Sequence, residues 1–133
     1  FKSLAGAQTV STKARRDVAI AFQRLGNLDA RSGQWTSAIA SHQASLEIFE
    51  DLSRSDPAKR EWVRDVWIAN GKIAMAMHGA GQAEQALKLM QEVVDARARL
   101  AAAASSAELQ KDLDEARTEL RLIREAVTKK KAA

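Results

Sequence analysis

The chain has 133 residues, 46% of them hydrophobic, with six glycines, one proline and no cysteine. That length supports a single domain with its own core, and the lack of thiols excludes a disulfide framework, a cysteine nucleophile and thiolate ligation of a metal. The 21 basic and 17 acidic residues leave a formal charge of +4, yet the two signs are interleaved except at Lys129-Lys130-Lys131, so nucleic acid is not an expected partner.

Helix formers dominate the composition and runs of β-branched or aromatic residues are missing, so an all-α chain is expected. Residues 1–11 come first: Phe1 and Leu4 stand 48 positions before Phe49 and Leu52, which reads as the end of a preceding repeat and a linker. Helices are predicted over roughly residues 12–32, 35–54, 57–79, 82–103 and 106–130. In the first, Ala14, Val18, Ala21, Leu25 and Leu28 follow i+4 and i+3 steps and form one face, expected to be buried. Ser32-Gly33 ends it. The second carries Trp35, Ala38, Ile39, His42, Leu46, Phe49 and Leu52 on its inward stripe. Asp56-Pro57 then reads as an N-cap with proline at the first helical position. The third helix repeats the spacing of the first in Trp62, Val66, Ala69, Ile73 and Ala76, and stops at Gly79-Ala80-Gly81. Ala83, Ala86, Leu87, Met90, Val94 and Leu100 mark the fourth. Ser105 with Glu108 is a candidate capping box, and the fifth helix buries Leu109, Leu113, Ala116, Leu120 and Ile123.

A shift of 48 residues superposes Arg16-Asp17-Val18 on Arg64-Asp65-Val66, Gly33-Gln34 on Gly81-Gln82 and Ala38 on Ala86. Each unit is therefore a pair of helices, and the chain divides into residues 1–11, a first repeat over 12–56, a second over 57–105, and a half repeat over 106–133 whose charged, Lys-rich end suits a cap. Arg16, Asp17, Arg64 and Asp65 recur with the period, which assigns them to joining one repeat to the next.

Leu25-Gly26, Gly33 and Ala38, with Ile73-Ala74, Gly81 and Ala86 in the second copy, resemble the tetratricopeptide repeat, whose usual unit is about 34 residues. The long form seen here, with Asp56, Pro57, Trp62, Arg64 and Asp65, is similar to a group of bacterial repeats commonly joined to signalling or effector modules such as kinases, proteases or immunity-type domains. The resemblance implies a right-handed α-solenoid of antiparallel hairpins and a protein-protein interaction scaffold, which binds a peptide or helical segment on its concave face. The family's groove positions fall on Gln23, Asn27, Arg31, Lys72, Met75 and His78. That mixed and partly basic set suits an acidic ligand. The alternative is a structural end-cap or dimerisation element of a larger protein, with Phe1 and Leu4 at an edge that pairs with a second copy.

Raw material for catalysis is sparse. No Gly-rich loop links a strand to a helix, Gly79-Ala80-Gly81 is a turn between helices, and His42 and His78 lack ligand spacing. Neither an enzyme nor a cofactor is predicted. His42 is expected to be a packed, hydrogen-bonded histidine, and His78 to face the groove or steady a helix end. Glu47, Glu50, Asp51, Asp112, Asp114 and Glu115 are expected in ordinary surface pairs. Trp62 and Trp35 belong to the core and Trp67 to a partly exposed face. Without an apolar run long enough to span a bilayer or a start resembling a signal peptide, a cytoplasmic location is expected.

Overall fold

The computed structural model describes residues 2–132, with side chains from residue 11 onwards. It contains five helices: α1 (Lys2–Arg31), α2 (Trp35–Ser55), α3 (Arg60–Gly79), α4 (Ala83–Ala103) and α5 (Ala107–Ala132). No strand occurs among the described residues. Packing follows chain order, α1 on α2, α2 on α3, α3 on α4 and α4 on α5, with only slight contact of α1 with α3 and of α3 with α5.

Two of the four connections are the same structure made twice. At the end of α1 the Gln34 amide donates to the Asp29 carbonyl at 2.8 Å and the Gly33 amide to Ala30 at 3.1 Å. At the end of α3, Gln82 donates to Met77 at 2.9 Å and Gly81 to His78 at 3.1 Å. Gly33 and Gly81 have φ of 72° and 84°, the left-handed conformation in which a helix terminates and its last carbonyls are satisfied. The chain then re-enters a helix after three residues.

The other two connections correct the expected caps. Asp56 closes α2, its amide donating to Leu52, and Asp56-Pro57 begins a turn in which Lys59 donates to the Asp56 carbonyl at 3.1 Å; proline presets the second position of that turn. Helix α3 thus starts at Arg60, not at Pro57. Before α5, Ser106 and not Ser105 accepts the Leu109 amide, at 3.3 Å, and Glu108 reaches across to Arg64 at 2.8 Å. The start of α1 also differs from the expected residue 12. Gln8 and Thr9 occupy the places of Asp56 and Pro57, so no proline interrupts the backbone ladder and α1 is continuous from Lys2. The side chains of Phe1 and Leu4 lie outside the described residues.

Two core clusters form along this row. In the first, Phe49 and Leu52 of α2 sit among Ala19 of α1 and Trp62, Val66 and Ala69 of α3. In the second, Ala86, Met90 and Val93 of α4 join Ala74 of α3 with Ala116 and Ile123 of α5. The predicted stripes of α2 to α5 point inward, most of their residues being buried and the rest half-buried. That of α1 does not: Val18, Leu25 and Leu28 are 48%, 48% and 57% exposed, and Ala14 and Ala21 are exposed too. Helix α2 covers a different side of α1, the one carrying Ala19 and Gly26.

Ion pairs tie each odd helix to the next. Arg16 reaches Glu61 and Asp65, both at 3.4 Å, and Arg64 reaches Glu108 at 2.8 Å and Asp112 through two hydrogen bonds of 2.7 and 3.1 Å. Asp112, expected at the surface, is buried at that junction. Of the repeated residues, Arg16, Arg64 and Asp65 therefore link one odd helix to the next, and Asp17 makes no such link among the described residues. Trp62 is enclosed by the same layer, with the Lys59 ammonium 4.3 Å and the Arg16 guanidinium 5.7 Å from its ring centre.

Candidate functional site

Helices α1, α3 and α5 share a face, and on it lies a cavity of about 420 Å³. Five of the six predicted residues line it: Asn27 and Arg31 from the end of α1, and Lys72, Met75 and His78 from α3. They converge because Asn27 to Arg31 is one i+4 step and Lys72, Met75 and His78 lie on successive turns of α3. Gln23 is half-buried one turn earlier and does not line the cavity.

Sequence reasoning missed the other lining residues, of which Trp35, His42 and Glu119 have the large or polar side chains. Trp35 opens α2 and lies against Gly79, where a Cβ would stand 2.7 Å from its ring atoms. His42 lies against Gly26 in the same way, 2.6 Å from an ideal Cβ to Nε2. Both glycines sit inside or at the end of a helix, where glycine is unfavourable unless a neighbour approaches closely. That was the available signal.

His42 is 2% exposed, and its Nδ1 has no hydrogen-bond partner, contrary to the expected hydrogen-bonded histidine. Its pKa is lowered from 6.5 to about 4, by burial first and by the nearby Lys72 charge second, with Asp29 opposing both. The ring is therefore neutral at pH 7. His78 Nδ1 is also buried without a partner. Glu119 is pushed above the ordinary carboxylate range by burial, against the pull of Arg97 and Lys72.

Arg31 and Lys72 are exposed, and neither makes an ion pair or side-chain hydrogen bond among the described residues. A second cavity of about 410 Å³, walled by Arg16, Arg60, Glu61, Arg64, Asp65 and Glu108, is the opposite case. Its principal charges are already paired with each other. An incoming anion would have to break those pairs there, whereas at Arg31 and Lys72 it meets cations with no ion pair to break. Among the described residues no group of three His, Asp or Glu side chains is placed to hold a metal ion, and no helix is long and apolar enough to cross a membrane.

One further polar group is buried near this face. Arg97 of α4 donates to the Asp112 carbonyl at 2.8 Å and to the Trp67 carbonyl at 3.2 Å, and it passes over Gly71, where a Cβ would meet its guanidinium at 2.7 Å. Burial lowers its pKa, Glu119 and Asp112 acting in the other direction. It pins α4 to α3 and α5.

No protein-family model matches the chain, and no curated protein does either. Among solved structures it is similar to the yeast histone chaperone Hif1, described as a scaffold protein recruiting protein complexes to core histones, with a TM-score of 0.70 at 14% identity. The match covers 86% of this chain and 45% of that one, so the chain spans less than half of the neighbour's length. At that identity the likeness speaks for the fold alone.

Proposed function

We propose that the chain is a non-catalytic protein-interaction scaffold of tetratricopeptide type. Its five helices are two and a half hairpins of a right-handed solenoid, and the face of α1, α3 and α5 is the concave one. There it binds an acidic peptide or helical segment. The observation that carries this reading is the cavity itself, where Arg31 and Lys72 stand unpaired beside Met75, Trp35 and two imidazole nitrogens without partners. Arginine matches a carboxylate in a bidentate fork and methionine fills irregular apolar space, so a short segment carrying both kinds of side chain is complementary. That a structure with this fold is itself described as a scaffold recruiting protein complexes agrees with the class of function.

The test is to select binders to the full chain from a displayed peptide library and to measure their affinity by fluorescence anisotropy. Acidic sequences should be enriched, and Arg31→Glu with Lys72→Glu should weaken them about tenfold or more, since charge-assisted hydrogen bonds contribute about 1.5–3 kcal/mol. Binders that are not acidic, or that ignore both substitutions, would remove the groove reading.

A second reading, a structural end-cap or dimerisation element within a larger bacterial signalling protein, has the bare apolar face of α1 in its favour.

A further inference from the structure

The face of α1 that carries Val18, Leu25 and Leu28 has a counterpart inside the molecule, and that counterpart is covered. Forty-eight residues on, Val66, Ile73 and Ala76 of α3 are 9%, 3% and 3% exposed. The first of them packs in one cluster with Phe49 and Leu52 of α2. Ala14 and Ala21 are likewise exposed where Trp62 and Ala69 are buried. Charge repeats the relation. Asp65 on α3 and Asp112 on α5 each accept from an arginine of the preceding odd helix, Arg16 and Arg64. Asp17 occupies the same register on α1, is exposed, and has no ion-pair or hydrogen-bond partner among the described residues. Lys13 stands where α3 has Glu61, so one acceptor is kept of the two.

We infer that this face of α1 is a seat for another helical hairpin of the same 48-residue kind. Its second helix lays large apolar side chains, as Phe49 and Leu52 do on α3, over Val18, Ala21, Leu25 and Leu28, and its first helix presents an arginine to Asp17. The occupant is identified by complementarity within the molecule: at α3 and at α5 an aspartate in this register is paired with an arginine of the preceding odd helix, and the apolar stripe is covered by Phe49 and Leu52 of α2 at α3 and by Met90 and Val93 of α4 at α5. A second copy of this chain fits less well. Its helices of the type that covers α3 and α5, α2 and α4, are each already packed between two neighbours. The inference rests on the repeat relation proposed above and makes no use of the groove, so either can fail without the other.

A tandem chain tests it, in which residues 1–59 are followed by residues 12–133. The inner copy of α1 then follows α2 in the register that α3 has in the natural chain. Its amides over residues 18–28 should exchange with deuterium at least about tenfold more slowly than in the natural chain, because a covered helix opens less often. Leu25→Glu should lower the melting temperature of the tandem when placed in the inner copy and leave that of the natural chain unchanged, and Asp17→Arg in the inner copy should act in the same direction with a smaller shift. Unchanged exchange, or a tandem chain that unfolds or aggregates, would overturn the inference. So would a natural chain that runs as a dimer in light scattering and becomes monomeric with Leu25→Glu, because the seat would then belong to a second copy.

Discussion

Helices α1 and α3 carry the same apolar spacing, yet one shows that face to solvent and the other buries it. Leu25 is 48% exposed and its counterpart Ile73 is 3% exposed. The difference lies in the neighbours: α3 has a helix on each side, α1 only on one. An amphipathic period reports which face of a helix is made for burial; whether anything covers it is decided by a different stretch of chain. Stability should follow the cover. Ile73→Ala is expected to destabilise by about 2–4 kcal/mol in urea unfolding, from lost transfer energy and a cavity, while Leu25→Ala should stay within about 0.5 kcal/mol. Equal effects would mean that the two faces are alike in solution, and the contrast between them would be gone.

The interiors of the two repeats differ in kind at several buried positions, Ser45 against Val93 and Phe49 against Arg97 among them. His42 of α2 stands where α4 has the buried Met90, and it is held neutral with a pKa near 4. The unfolded chain, with its histidine at about 6.5, takes up that proton first, so the unfolded state binds more protons throughout the window from pH 6.5 to 4. Stability is therefore lost as pH falls through that window, by up to about 3 kcal/mol at 1.36 kcal/mol per unit. Asp65 and Glu119 have raised pKa values in the folded chain and act oppositely, gaining stability as pH falls. Comparing the protein with His42→Met isolates the imidazole: the variant should lack the loss between pH 6.5 and 4 and keep the gain. A variant with the same pH profile would show that His42 is hydrated in solution.

The same position explains a glycine. Gly26 meets the His42 ring where the second repeat has Ala74, itself buried in the cluster with Met90. Gly26→Ala should destabilise by about 1–3 kcal/mol through overpacking against the His42 ring, which would have to shift. Adding His42→Met converts the first repeat to the pair found in the second, and the flexible thioether should recover most of the loss. A double-mutant cycle reads this directly, and additive effects would indicate that the ring does not confine the helix at Gly26.

These contrasts show what the sequence could tell. The five helices and the two glycine turns were legible because each has a local cause, a 3.6-residue apolar stripe or a left-handed stop, repeated 48 residues apart at Gly33 and Gly81. Five of the cavity-lining residues, Asn27, Arg31, Lys72, Met75 and His78, were expected from the resemblance to the tetratricopeptide repeat, and only Asn27 and Met75 among them are 48 residues apart. The bare side of α1 was not legible, since its periodicity is the same as that of α3. Nor were Trp35, His42 and Glu119, which reach the cavity from helices whose own pattern says only that they are buried or charged. The buried place of Asp112 is hidden for a similar reason. In sequence it stands among Lys111, Asp114 and Glu115, and only the packing of α5 beside α3 places it against Arg64.

That junction gives the smallest and sharpest contrast between the repeats. Arg64 grips Asp112 with two hydrogen bonds, and this raises the arginine's pKa, the hydrogen bond to Asp112 contributing most. Arg16 meets Asp65 through one contact of 3.4 Å. Asp65 is held above its usual range because burial outweighs the attraction of Arg16, so the pairing at the first junction is the weaker of the two. Replacing each arginine by methionine keeps the aliphatic stem and removes the charge. Arg64→Met should then destabilise by about 1–2 kcal/mol, as loss of a bidentate, partly buried pair does, and Arg16→Met by less than about 1 kcal/mol. Salt should shrink both effects, because each arginine also reaches an exposed glutamate, Glu61 at 51% and Glu108 at 64%. Reversal of that order in urea unfolding would mean that the repeats are coupled mainly through Trp62 and the cations around it, and not through the carboxylates that the period conserves.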